Sequence, residues 1–540
     1  MAALMIQGCG SDVGKSVLVA GLCRLFSNRG ITVRPFKSQN MSNNAAVTSG
    51  GGEIGRAQAL QAQACRTQPT VDMNPVLLKP QSDVGAQLIV RGKMAGNFDA
   101  SSHGLDKRAL LDVAVQSYRR LAQEAQLMIV EGAGSPAETN LRKNDIANMG
   151  FAQAVGLPVV LVGDINRGHV IASLVGAHVV LDAADRAMIR GFIVNKFRGN
   201  PRLFDEGVQR IVAHTGWPSM GVVPWLRAAS RLPSEDGMQL EGINASPALP
   251  SRVKIAVPQL SRIANFDDFD PLREEPDIEL VFVPPGRPLP RDAALIVIPG
   301  TKSTIADMEF MRSQGWDVDV LAHVRHGGRV LGICGGYQML GRTISDPDGI
   351  EGPPRAVAGL GLLDVETVMT GDKTLREVSG RLVGVASGGV AGAADRDAFA
   401  ATGATGVARA TGVADSRGGG ASDVADNGAA GVRGSKHAGA AFAGYEMHVG
   451  STTGTGASRP FLRFSDGSTD GAISVDGRIA GCYVHGLFGV TEARAALVSA
   501  IGGAPSLGDH ASRVDAALDE IAGELERCLD IQALAAIAGL

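Results

Sequence analysis

Aromatic residues make up only 4% of this 540-residue chain, and cysteine is rarer still. The six cysteines (Cys9, Cys23, Cys65, Cys334, Cys482 and Cys528) are scattered, with no CxxC pair. That spacing argues against a zinc site and against a disulfide framework. Long hydrophobic runs are missing too: nothing approaches the ~20 uninterrupted apolar residues of a membrane span. The apolar opening at residues 2–6 is too short for a secretory leader and has no basic start. There is no excess of one charge either, since the net charge is -4 with 20% charged residues. No nucleic-acid partner is therefore expected. These absences point to a reduced, cytoplasmic protein without a membrane partner, and they leave the oligomeric state open.

The chain is too long for one ordinary core. At ~150 residues per domain it would hold three or four units, although α/β domains run larger and two would also serve. In the first part, short apolar runs at 3–7, 31–36, 127–131, 158–163 and 191–195 read as buried strands. Segments with helical spacing, such as 17–29 and 110–124, lie between them. Strands alternating with helices predict a mostly parallel, doubly wound sheet. A polar stretch with prolines at 234–250 reads as a linker. A second α/β series follows at 254–257, 279–283, 294–298 and 329–333. Residues 384–443 are dominated by Gly, Ala, Asp and Ser, with few large apolar side chains to offset the entropy of ordering, and read as a disordered insertion. The expected division is a synthetase domain at 1–245, a second domain at 251–505 carrying that insertion, and a helical tail at 506–540.

Two motifs carry chemistry. Gly8-Cys9-Gly10-Ser11-Asp12-Val13-Gly14-Lys15-Ser16 follows a strand and opens a helix, the setting a phosphate loop needs. Ser11, Asp12, Val13 and Gly14 would offer backbone N–H groups to ATP phosphates, and Lys15 would reach the β and γ phosphates. Ser16 would hold Mg2+, with Glu131, at the end of an apolar strand, as its acidic partner. The strict motif places glycine where Cys9 stands. Asn195 ends another strand, where it could read a base edge or cap a turn. The second motif, at residues 329–340, is an apolar strand, a turn at Cys334 and a helix, with Gly332, Gly335 and Gly336 around the cysteine. A cysteine at such an elbow gains thiolate character from the following helix. Backbone N–H groups of Gly335 and Gly300 could stabilise an oxyanion. A base is still needed, and His485 in GCYVHGLF is the first candidate, with His448 as rival. A thiolate that frees ammonia from glutamine and a loop that lets ATP activate a carboxylate together select amide ligation.

With both motifs in place, the chain resembles the cobyric acid synthase family. The resemblance rests on SDVGKS at 11–16, FKSQNMSNN at 36–44, EIGRAQALQA at 53–62, NPVLLKP at 74–80, EGAGSPAE at 131–138, VGDINRG at 162–168, PGTKST at 299–304, GICGGYQML at 332–340, GYEMHVG at 444–450 and GCYVHGLFG at 481–489. It implies an α/β protein with an N-terminal dethiobiotin-synthetase-like P-loop domain and a C-terminal class I glutamine amidotransferase-like domain. It also implies ATP, Mg2+ and glutamine, no tightly bound organic cofactor, and a corrinoid substrate amidated at four propionates. Cys334 and His485 would be nucleophile and base, and Lys37, Gln39, Asn40, Asn43 and Lys79 would face the substrate or the transferred phosphate. In class I glutaminases a Pro and then a Glu follow the histidine, whereas Gly486 and Leu487 follow here, so the orienting carboxylate is missing unless another group, such as Glu446, supplies it. The competing readings are an a,c-diamide synthase, against which FKSQNMSNN speaks, and a partition-type ATPase. The latter would carry a lysine where Gly10 stands.

Overall fold

The computed structural model describes residues 1–81, 85–99, 106–233, 252–383 and 439–540. The expected linker at 234–250 lies outside these residues, as does the insertion up to 438. The insertion's expected end at 443 is corrected: Ala441–Thr453 is a strand, and Arg381 pairs with Ala441 across the ladder. Phe442 makes the difference, because it offers the core a large side chain and is buried in it.

The N-terminal sheet has six strands, all parallel, in the order Ser219–Pro224, Ile189–Phe197, Val159–Asp164, Ala2–Gly8, Leu127–Glu131 and Val33–Phe36. Its central strands are runs of Val, Ile, Leu and Met because both faces are covered, so no polar alternation is tolerated. Ala2–Gly8 ends between its neighbours, which puts the phosphate loop at the carboxyl edge of the sheet, where α/β proteins place ligands. A second sheet runs Ile278–Val283, Val253–Pro258, Leu295–Ile298, Arg329–Ile333, Ile479–Cys482 and Ala472–Ile473, with only the last strand antiparallel. The two α/β units expected from the sequence are both present.

Two β layers had not been expected. One is a sheet built around the long antiparallel pair Glu366–Leu382 and Ala441–Thr453. The other is a four-stranded sheet of Gln39–Met41, Val76–Pro80, Gly85–Val90 and Lys93–Asp99. The C-terminal helices do not stay with the second sheet. His510–Cys528 packs against Lys15–Asn28 of the first, burying Leu518, Ile521 and Leu525. Gly21 permits this approach, since a Cβ there would sit 2.5 Å from Leu525 and 2.7 Å from Ile521. The buried Arg24 guanidinium pairs with Asp515 across the same contact.

Candidate functional site

At the phosphate loop the chain turns through left-handed conformations at Asp12 (φ 55) and Gly14 (φ 89) before the helix Lys15–Asn28 begins. Cys9 is not among the positive-φ residues, and its N–H pairs with Val162 O at 2.9 Å, so the loop has no need of glycine there. Burial pushes its thiol up to about 12, which leaves it unreactive. The Lys15 ammonium donates to Gly10 O at 3.0 Å and to Gly134 O at 3.3 Å. Ser16 Oγ donates to Glu131 Oε1 at 2.8 Å, and Lys37 Nζ reaches the same oxygen at 2.8 Å. Asn195 donates from Nδ2 to Val13 O at 2.8 Å, so here it braces the loop backbone. The Ser16 and Glu131 oxygens suit a hard cation. Among the described residues no group of three or more His, Cys, Asp or Glu side chains could hold a metal by itself. An ion here would complete its shell with phosphate and water, as Mg2+ does.

Of the other substrate-facing candidates, Gln39 is half-buried, Asn40 is buried against Gln58 (3.1 Å), and Asn43 Oδ1 is buried with no hydrogen-bond partner among the described residues. Beyond them, Asn44 Oδ1 accepts from Phe266 N, and Ala45 N donates to Asn265 Oδ1, both residues of the second unit. FKSQNMSNN thus runs from the carboxylate beside the phosphate loop to the boundary with the other unit. Lys79 is the exception. It lines the cavity of Cys334 rather than the phosphate site, with Nζ 2.5 Å from Glu53 and 3.6 Å from Met447 Sδ. The strand Val76–Pro80 carries it there as part of the four-stranded sheet that the sequence pattern did not reveal.

Cys334 sits between Arg329–Ile333 and Gly335–Leu340 at φ 52, ψ -110, a backbone state that costs free energy and is held by its surroundings. The glycines around it are obligatory. A Cβ on Gly336 would lie 2.0 Å from Ile298 O, and one on Gly332 2.6 Å from the Gly336 backbone. Gly335 opens the helix, so its N–H has no intrahelical partner. Gly300 lies against the His485 ring, where a Cβ would come within 2.8 Å of Cε1.

His485 is buried on the short strand Val484–His485 and lines the cavity with Cys334. The carboxylate missing from the sequence after it comes from elsewhere: Asp268 Oδ2 is 2.7 Å from His485 Nδ1, and Asp268 Oδ1 accepts from Gly486 N at 2.7 Å. Burial works to lower the His485 pKa, but the charge of Asp268, with a contribution from Cys334, outweighs it and raises the imidazole to about 10. Tyr445 stacks on the ring, with centroids 5.5 Å apart. Glu446 does not take this part, because its carboxylate pairs with Arg376. His448 also lines the cavity, but burial lowers it to about 4, it stacks on Tyr483 at 3.6 Å, and among the described residues no carboxylate lies within hydrogen-bonding reach of its ring.

Asp268 was the functional residue that sequence reasoning missed. The signal was there in NFDDFDP at 265–271, where three acids stand in an apolar setting. All three are buried: Asp267 pairs with Arg56 of the first unit at 2.9 Å, Asp268 with His485, and Asp270 with Arg273 at 3.0 Å.

Known proteins match this arrangement. Residues 4–239 match the CobQ/CobB/MinD/ParA nucleotide binding domain, and residues 254–493 match the CobB/CobQ-like glutamine amidotransferase domain. The chain is 61% identical to the cobyric acid synthase of Caulobacter sp. (strain K31), with 100% of both chains covered. It is 54% identical to that of Rhizorhabdus wittichii and 53% identical to that of Sphingopyxis alaskensis, each alignment covering 100% of this chain and 99% of the other. Among the described residues no helix is long and apolar enough to cross a membrane.

Proposed function

Because the chain belongs to the cobyric acid synthase family, we propose that it is an ATP- and glutamine-dependent ligase that amidates the b, d, e and g propionates of adenosylcobyrinic acid a,c-diamide. The observation that carries this reading is the pairing of two sites in one chain: the Lys15–Ser16–Glu131 cluster at the phosphate loop and the Cys334–His485–Asp268 group in the second unit.

The Cys334 thiolate attacks the glutamine amide carbon. The oxyanion is met by the Gly335 N–H, and His485 gives its proton to the departing nitrogen. Ammonia leaves a γ-glutamyl thioester, which water hydrolyses to glutamate. At the other site a propionate oxygen takes the γ-phosphoryl group of ATP. Lys15 and Lys37 balance the charge on the phosphoryl oxygens; Ser16 and Glu131 would hold Mg2+, which would supply further charge neutralisation there. Ammonia then attacks the acyl carbon and phosphate leaves, with ADP as the other product. FKSQNMSNN touches Glu131 through Lys37 at one end and Phe266 through Asn44 at the other, which suits a substrate-binding wall between the two sites. The same segment favours this reading over an a,c-diamide synthase.

Asp268 orients His485, so Asp268→Asn is expected to lower glutamine-supported kcat by roughly 10²- to 10⁴-fold. Ammonium-supported turnover should be spared. The imidazolium holds its proton up to about 10 in the folded protein, against an ordinary value of 6.5. Removing the carboxylate lowers that limit, so the alkaline limb of the glutamine-supported profile should move to lower pH. The matching stability contribution is complete below 6.5 and lost as pH rises through about 10.

The acyl phosphate makes a separate demand. With corrinoid carboxylates labelled by 18O, each amide formed should deliver one 18O atom to inorganic phosphate, and mass spectrometry of the phosphate reads this. Label found only in water would overturn the acyl-phosphate route. Product NMR showing amidation at other positions would overturn the assignment of the four propionates.

A further inference from the structure

Three lysines converge on the cavity of Cys334 and His485: Lys79, Lys302 and Lys373. Two of them are compensated. The buried Glu53 pairs with Lys79 at 2.5 Å and also with Lys373, so one carboxylate serves an ammonium from each unit. The two charges hold Glu53 well below the usual carboxylate range although burial works the other way. Lys302 is different. Its ammonium has no hydrogen-bond or ion-pair partner among the described residues. Burial, and then the charges of Lys373 and Lys79, push it down to about 7. The charges of Glu53 and Glu351 offset this only in part, and a cavity cation without a direct partner is costly until an anion reaches it.

A carboxylate lines the same cavity. Glu351 accepts from Ile305 N at 3.1 Å and from Thr304 Oγ1 at 3.3 Å, and burial raises its carboxyl. Lys302 lies just after the strand Leu295–Ile298, and Glu351 just after Thr343–Asp346, so separate loops bring the two signs to one wall. Glutamine is a zwitterion with a neutral amide at its far end. Its charged end needs one cation and one anion, and its amide needs the thiol.

Resting on the glutaminase reading of Cys334, we propose that Lys302 receives the α-carboxylate and Glu351 the α-ammonium of the glutamine whose amide meets Cys334. The pair then sets the specificity of the site for a free α-amino acid. Glu53 keeps Lys79 and Lys373 occupied, which leaves Lys302 as the cation free to respond to substrate.

The test uses the full-length enzyme, three amides and two variants. Glutamine is compared with 4-aminobutanamide, which lacks the α-carboxylate, and with 4-carbamoylbutanoic acid, which lacks the α-ammonium. Each kcat/KM is divided by the same variant's ammonium-supported rate, so a folding defect cancels. Wild type should prefer glutamine over both analogues by roughly 10- to 100-fold, the worth of a hydrogen bond to a charged group. In Lys302→Met the preference over 4-aminobutanamide should vanish while that over 4-carbamoylbutanoic acid persists. In Glu351→Gln, which keeps an acceptor for Ile305 N, the pattern should reverse. Variants that discriminate like wild type overturn the pair alone. A wild-type enzyme that releases no glutamate from glutamine overturns the Cys334 reading and the pair with it.

Discussion

Replacing Cys334 with alanine is expected to abolish glutamine-supported amidation, by roughly 10⁴-fold or more, because the thioester cannot form without the sulfur. Amidation with added ammonium salts should continue, since the carboxylate is activated at the other site. The substitution suits this question. Alanine at φ 52 meets the same strain as cysteine, so the elbow is neither relaxed nor further stressed. The thiol donates to Met447 O at 3.5 Å, a weak contact, and its other neighbour is the His485 ring, which keeps its bond to Asp268 when the sulfur is removed. A glycine there would instead release the strain and confuse conformation with chemistry. The measurement is corrinoid amide formed per minute with glutamine and with ammonium chloride, at a pH high enough to supply free ammonia. If the variant lost both activities equally while still folded and binding ATP, the division of labour between the two sites would be wrong.

What could be read in the sequence follows the range of the interactions. The buried parallel strands were legible because an unbroken run of Val and Ile has few other places to go, and Leu127–Glu131 and Arg329–Ile333 lie at the residues expected. The phosphate loop and the elbow were legible because each is a local device, a strand, a turn and a helix, whose glycines answer to nearby atoms. The two extra β layers were not. In the first of them, Glu366–Leu382 carries polar residues on an open face and pairs with residues far along the chain. The same limit hid Asp268, which is 217 residues from His485 and meets it where the chain leaves Val253–Pro258 and Ile479–Cys482, two strands of one sheet. It also misplaced Lys79, whose partner Glu53 is near in sequence while its other neighbours, Lys373 and Met447, belong to the second unit. Motifs reported the reacting groups, and the groups that orient or neutralise them needed the fold.

Lys15→Ala should behave in the opposite way to the Cys334 variant, losing amidation with either nitrogen source by roughly 10³-fold or more, the scale set by removing charge stabilisation from a transferring phosphoryl group. In the structure the Lys15 ammonium is buried and held by Gly10 O and Gly134 O, carbonyls on the two segments that flank the phosphate position. These carbonyls help hold the ammonium beside the position the phosphates would take. Arginine is not expected to rescue the variant, because a Cβ on Gly8 would already lie 3.0 Å from Nζ and the larger guanidinium has no room beside it. Two hydrogen bonds to carbonyls are lost, about 1.5–3 kcal/mol each at most, so thermal melting must show that the variant is folded at the assay temperature. Glutamate release from glutamine without ATP should remain, because Cys334, His485 and Asp268 lie in the other unit. A Lys15→Ala enzyme that still amidates the corrinoid from ammonium at the wild-type rate would show that the loop does not activate the carboxylate. Loss of glutamate release together with amidation, in a folded protein, would mean instead that the glutaminase depends on the state of the phosphate loop. Such coupling would cross contacts between the two units such as Glu53–Lys373, Asn44–Phe266 and Arg56–Asp267.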